Sequence, residues 1–242
     1  MIKRGIAMSV IELHDVKYVY QSKYQRVEAL RGISYNFQPG KVYAIMGSSG
    51  CGKTTLLSLM AGLDVPTEGK VLCEGISTGD IDLEKYRRER VAVIYQDFRL
   101  FPLLTVAENV MYPMELRGMK AAAAKKRAAE LIQKVGLPEA VLDRFPAMLS
   151  GGEQQRIAIA RSLLNEPAVI IADEPTGNLD NETADGILRL LTKINIEKGT
   201  AIVMVTHNRQ IFEKYPGRVF VCKDEHCSEQ KPDEIIDLDL TI

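Results

Sequence analysis

The sequence contains no stretch of about 20 apolar residues, the length a membrane-spanning helix needs. Its most apolar runs, Ala168 to Ala172 and Ala201 to Val205, reach only strand length, so the chain is not expected to cross a bilayer by itself. Excess charge of either sign is also missing: 31 Lys and Arg stand against 32 Asp and Glu. Nothing in that balance attracts a polyanion, and no nucleic-acid partner is expected. No secretion signal is expected, because Glu12, His14 and Asp15 interrupt the few apolar residues that follow Lys3 and Arg4; Met8 is a second candidate start. The cysteines Cys51, Cys73, Cys222 and Cys227 lack the spacing of a disulfide framework, which points to a reducing cytosol, and Cys222, His226 and Cys227 match no standard zinc spacing. There is no internal repeat, and the short Ala121 to Ala124 run is a good helix former rather than a low-complexity tract.

What is present fits one sizeable core or two modest ones. Short β-rich runs at Lys41 to Met46, Val91 to Tyr95, Val169 to Ala172, Ala201 to Val205 and Arg218 to Cys222 alternate with helical patterns at Lys53 to Ala61, Lys120 to Val135 and Asn181 to Glu197. Several strands are apolar throughout, as in parallel sheets covered on both faces. Between about Phe98 and Asn165 the alternation stops and the chain reads as helical, with Pro102, Pro113, Pro138 and Pro146 as breaks. This stretch is expected to be a helical lobe inserted into an α/β core. From Lys223 the chain turns acidic and polar, a surface strand pair or a loose end.

Three segments carry chemistry. Gly47-Ser48-Ser49-Gly50-Cys51-Gly52-Lys53-Thr54 follows an apolar run and opens a helical one. That is the spacing of a phosphate-binding loop: glycines let N–H groups curl around phosphate oxygens, the helix points its positive end at them, Lys53 adds a cation and Thr54 a magnesium ligand. The second segment, Val169 to Ala172, runs into Asp173 and Glu174, which puts two carboxylates at a buried strand's end. Asp173 would hold Mg2+ through water, and Glu174 would orient and deprotonate a water attacking the γ-phosphate. The third, Leu149-Ser150-Gly151-Gly152-Glu153-Gln154, opens another helical segment with Ser150 as its cap and two glycines that permit close phosphate approach. One chain thus holds two anion sites.

With these segments the sequence resembles the ABC ATPases, whose signature motif is the Leu149 to Gln154 string, and the resemblance runs nearly full length. It implies a P-loop NTPase (RecA-like) core with a mostly parallel sheet, an N-terminal antiparallel β portion and an inserted α-helical subdomain. The expected domain spans 9–225, its core about 9–95 and 166–225 and its helical subdomain about 96–165, with 226–242 as a C-terminal tail. The resemblance further implies ATP and Mg2+ as cofactors, held by Gly47, Ser48, Ser49, Gly50, Cys51, Gly52, Lys53, Thr54 and Thr55 and, from a second subunit, by Ser150, Gly151, Gly152 and Glu153. It places Tyr20 as the adenine stacker, with Tyr18 as rival, Gln96 at magnesium and water, Asn178 to Asp180 at the subunit interface, and His207 at the γ-phosphate. Cys51 and Thr55 stand where relatives often carry Ser, and Asn208 where they often carry Asp; neither of the first two removes a backbone donor.

The implied partners are a second ABC subunit, with a homodimer the simplest case, and an integral membrane permease that provides the only membrane contact. The implied place is the cytoplasm, peripheral on the inner face of the cell membrane. Ala29 to Gly32 and Asp173 to Asp180 look most like the branch that includes lipoprotein-releasing, macrolide-exporting and cell-division ATPases. The apolar set Phe98, Leu100, Phe101, Leu103 and Leu104 is either lobe core or a docking face for the permease. The alternative reading is a soluble ABC ATPase that serves as an assembly scaffold without a permease.

Overall fold

The computed structural model describes residues 9–206, 218–223 and 226–230. Strands β1 (Ile11–Gln21) and β2 (Arg26–Phe37) pair antiparallel, and β3 (Val42–Gly47) then enters a second sheet and ends at the glycine loop. Helix α1 (Lys53–Met60) follows that loop, and β4 (Glu68–Cys73) and β5 (Ile76–Ser77) return to the first sheet, whose order is β2-β1-β4-β5. After α2 (Leu83–Glu89) and β6 (Val91–Ile94) come three lobe helices, α3 (Val106–Glu115), α4 (Ala121–Lys134) and α5 (Gly151–Ser162). The chain re-enters the core through β7 (Val169–Asp173), α6 (Asn181–Lys198), β8 (Ala201–Val205), β9 (Arg218–Lys223) and β10 (His226–Gln230). The second sheet has the order β10-β9-β3-β8-β7-β6 and is parallel except for β10.

This sheet is apolar on both faces, which is why its strands carry unbroken hydrophobic runs. Because side chains alternate along a strand, Ala44, Ile170, Ala172, Ile202 and Met204 face a core shared with α3 to α6, whereas Tyr43, Ile45, Ile171, Val203 and Val205 face one shared with β1, β2 and α1. Full burial of each large aliphatic side chain contributes roughly 1.5–3 kcal/mol. Two cores on one sheet hold the strand ends in fixed register. All the parallel strands point the same way, so the segments after β3, β6, β7 and β8 emerge along one edge.

The lobe is fastened by local polar chemistry. Thr105 and Glu108 form a capping box at α3, and Ser150 and Glu153 another at α5, arrangements that contribute about 1 kcal/mol each. Asn109 is fully buried; its amide donates to the carbonyls of Phe101, Leu104 and Thr105 at 3.0 Å each and accepts from the Phe101 N–H at 2.7 Å. It thereby pins the loop before α3.

Two expectations are corrected. Pro113 does not break a helix but lies inside α3, near its end, where it forfeits one i to i−4 hydrogen bond while Leu116 still bonds back to Tyr112. Cys222 is disulfide-bonded, whereas Cys51 and Cys73 are free thiols. Linear spacing misses such a bond because the pairing of backbone segments in the fold decides which thiols can meet. Strand β10 lies beyond residue 225, where the sequence reading ends the domain, and forms the outer strand of the same sheet.

Candidate active site

The loop between β3 and α1 is shaped by glycines that no other residue could replace without strain. Gly47 has φ +149, and a Cβ on it would lie 2.3 Å from the Cys222 carbonyl oxygen and 2.6 Å from Cys51 Sγ. Gly52, the N-cap of α1 at φ +93, would meet the Ala29 carbonyl oxygen at 2.4 Å. These contacts bend the backbone so that the first turn of α1 opens into a cleft with unpaired N–H groups and a positive dipole end. Lys53, only 7% exposed, curls back over the loop and donates to the carbonyls of Gly47 at 2.8 Å and Ser48 at 2.6 Å.

The cleft has a volume of about 360 Å³ and is lined by Tyr20, Ser49, Gly50, Gly52, Lys53, Thr54, Thr55, Asp173 and Glu174, together with Val27 to Ala29 and Val205. The structure therefore brings the phosphate loop, the strand-end carboxylates and the aromatic into one place. Gly47, Ser48 and Cys51 lie in the loop's own frame behind it. Tyr20 is half exposed, and its hydroxyl lies 3.0 Å from Thr55 Oγ1. Tyr18 packs edge-on against Tyr20 and hydrogen-bonds the Asp64 carboxylate, which commits its hydroxyl away from the cleft. That bond, then burial, pushes its pKa up to about 12. Of the two tyrosines, Tyr20 lines the cleft, and what distinguishes them is the hydroxyl partner each finds, Asp64 for Tyr18 and Thr55 for Tyr20.

Burial, followed by the adjacent Glu174 carboxylate, raises Asp173 above the usual carboxylate range, while Lys53 and Arg99 pull the other way. Two carboxylates held together at a strand end make a site that favours a cation. Thr54, Asp173 and Gln96 would supply only oxygen ligands, the donor set of a hard divalent ion. Glu174 adopts a left-handed backbone, φ 46, and its N–H bonds the Val205 carbonyl at 3.1 Å. Such strain costs roughly 1–2 kcal/mol and is found where a side chain must be aimed.

Gln96 follows β6 on the same edge. Its Nε2 donates to Asn178 Oδ1 at 3.2 Å, and Asn178 Nδ2 donates to the Gln96 carbonyl at 3.3 Å. A Cβ on Gly177 would stand 2.9 Å from Gln96 Nε2 and 3.2 Å from Glu174 Oε2, so both side chains crowd the same glycine. Residue spacing gave no signal for the pairing of Gln96 with Asn178. Nor did it reveal that Arg161, at the far end of α5, donates to the carbonyls of Arg99 at 2.8 Å and Phe98 at 3.1 Å.

The signature segment stays out of this cleft. Ser150 Oγ accepts from the Glu153 N–H, and the Glu153 carboxylate accepts from the Ser150 N–H at 2.8 Å and hydroxyl at 2.9 Å. Those bonds hold Glu153 below the ordinary carboxylate range. A Cβ on Gly151 would stand 3.2 Å from Leu179 Cδ2 and 3.6 Å from Phe98 Cζ, and one on Gly152 would meet Thr183 Cγ2 at 2.3 Å. Asp180 caps α6 by accepting from Thr183 N at 3.0 Å and Oγ1 at 2.6 Å. His207 lies outside the described residues.

A family model described as ABC transporter matches residues 30–177. The chain is similar to an uncharacterized ABC transporter ATP-binding protein of Thermotoga maritima, at 46% identity over 208 residues, 85% of this chain and 88% of that protein. It is also similar to the cell division ATP-binding protein FtsE of Bacillus subtilis, at 40% identity over 212 residues, 87% and 92% of the two chains. Among solved structures, the dimeric post-hydrolysis state of the ATP-binding cassette MJ0796 bound to ADP and Pi, from Methanocaldococcus jannaschii, matches with a TM-score of 0.83 and 39% identity, covering 92% of this chain and 98% of that one.

Proposed function

This chain belongs to the ABC transporter family and is an ATP-hydrolysing subunit, and from that premise we propose that two such subunits close head to tail over ATP and drive a separate membrane permease. The carrying observation is the separation of the two phosphate-type sites. The loop cleft holds Tyr20, Lys53, Thr54, Asp173 and Glu174, while Ser150, Gly151 and Gly152 open α5 outside it. The signature segment does not line its own chain's cleft, and two chains related by a twofold axis can each complete the other's site.

In the cleft, Lys53 and the first-turn N–H groups of α1 bind the phosphates, and Tyr20 stacks on adenine. Thr54, Asp173 and Gln96 would hold Mg2+, which would supply neutralisation of the phosphate charge. Glu174 takes the proton of the attacking water, His207 contacts the γ-phosphate, and Asp180 reaches the interface through its loop. In this reading the ATPase domain begins near residue 9 and includes β10.

Support for a permease comes from the lobe surface. Leu103 is 86% exposed and Leu116 69%, with Phe101, Tyr112 and Met119 also open to solvent, while Leu100 and Leu104 turn partly inward. Beside them runs a groove lined by Leu63, Arg87, Arg88, Leu116 and Arg117. Apolar surface of this kind suits a partner. No helix among the described residues is long and apolar enough to cross a membrane, so the subunit would sit in the cytoplasm against the inner face of the membrane and work in export, lipoprotein release or mechanotransmission.

Detergent extraction with an affinity-tagged chain tests the reading. Copurification of a multispanning protein, lost when Leu103 and Leu116 are changed to Asp, is the expected result. Recovery only in soluble complexes would favour the scaffold alternative instead.

A further inference from the structure

The paired contacts between Gln96 and Asn178 determine the orientation of both amides. A backbone carbonyl can only accept, so the Asn178 group facing the Gln96 carbonyl at 3.3 Å must be its NH2. That leaves Asn178 Oδ1 towards the Gln96 side chain, and an oxygen there demands the Gln96 NH2, seen at 3.2 Å. The remaining atom, Gln96 Oε1, is the one a cation or an attacking water could use. One main-chain carbonyl thus orients two amides in turn and leaves Gln96 Oε1 uncommitted to Asn178, while Gly177 makes room for the Gln96 amide and the Glu174 carboxylate side by side.

We propose that Asn178 is a positioning residue that fixes the Gln96 amide with its carbonyl oxygen presented to the metal and water, so that the loop meeting the second subunit sets the ligand field of its own subunit's site. This rests on the reading of Gln96 as the contact to metal and water. Asn178 sits one residue before Leu179, whose Cδ2 would lie 3.2 Å from a Cβ on Gly151 at the start of α5. Asn178 therefore stands between the signature helix and the catalytic edge. An unanchored amide rotates freely and presents NH2 as readily as oxygen, which is the wrong end for either role.

The test combines a mutant cycle with a readout independent of turnover. In the full chain labelled with 15N-glutamine and free of nucleotide, the Gln96 side-chain amide signals are those that vanish in Gln96→Ala. Asn178→Ala is expected to shift them and speed their exchange with water; unchanged signals would overturn the proposal. In ATPase assays Asn178→Ala should lower kcat roughly tenfold, the lower end of what loss of a supporting partner does to a ligand, and should have no further effect once Gln96 is Ala. An interface role for Asn178 would act equally in both backgrounds, so multiplying effects would also overturn it. If Gln96→Ala itself left kcat intact while the amide signals still moved in Asn178→Ala, the tether would stand and the metal-contact reading of Gln96 would fall, taking the catalytic part of the proposal with it.

Discussion

The ammonium of Lys53 lies 2.6 Å from the carbonyl oxygen of Ser48, five residues back along the chain. A cation placed by the loop's own carbonyls needs little reorganisation to meet a phosphate. Lys53→Met should therefore fold normally and yet lose ATP affinity by about a hundredfold, the upper range for hydrogen bonds to charged groups. Isothermal titration with ATP checks this, and an unchanged affinity would contradict the assignment of the cleft.

Glu174 is aimed by a left-handed backbone next to Asp173. Glu174→Gln keeps the shape and removes the base, so ATP should still bind while hydrolysis slows by roughly 10²–10⁴, the range for loss of a general base. Light scattering under saturating ATP should then report a stable dimer, and a monomer would count against shared sites.

Gly47 is confined by main chain on one side and a P-loop thiol on the other. Gly47→Ala should destabilise the chain by about 3 kcal/mol, overpacking and a positive φ combined. Gly50, with φ +83 but nothing within 4 Å of an added Cβ, should tolerate Ala at about 1 kcal/mol. Urea unfolding of the two variants distinguishes steric from purely backbone cost.

Tyr20 lines the cleft, and its hydroxyl lies 3.0 Å from Thr55 Oγ1. Tyr20→Phe should hold ATP affinity within about threefold, whereas Tyr20→Ala should weaken it about tenfold, in line with aromatic–base stacking of about 1–3 kcal/mol. Equal losses in the two would remove the ring from the binding account.

Tyr18 gives a pH signature. Its protonated hydroxyl donates to Asp64, and its pKa stands at about 12 against about 10 for a free tyrosine. The folded state thus holds this proton more tightly than the unfolded one. The stabilisation is complete below pH of about 10 and fades as pH rises through about 12. Absorbance titration at about 295 nm should show two late tyrosines, Tyr18 and, later still, the buried Tyr86, and the earlier of the two transitions should disappear in Tyr18→Phe; its persistence would assign the shift elsewhere.

The sequence by itself determined the local chemistry: which residues could cradle phosphate, which strand would end in two carboxylates, and which serine would cap a helix beside two glycines. Those features follow from spacing along a few residues, where φ preferences, capping and strand periodicity act. Tertiary structure decided what needs two distant segments to meet. The Pro113 helix survives because its lost hydrogen bond falls near the end of α3, next to packed α4 and α5. Tyr18 and Tyr20 are distinguished by the distant hydroxyl partners they find, Asp64 and Thr55. The orientation of Gln96 depends on Asn178, 82 positions away. Such contacts have no linear signature, because the loops that carry them are brought to one sheet edge only when both hydrophobic cores have closed around the parallel strands.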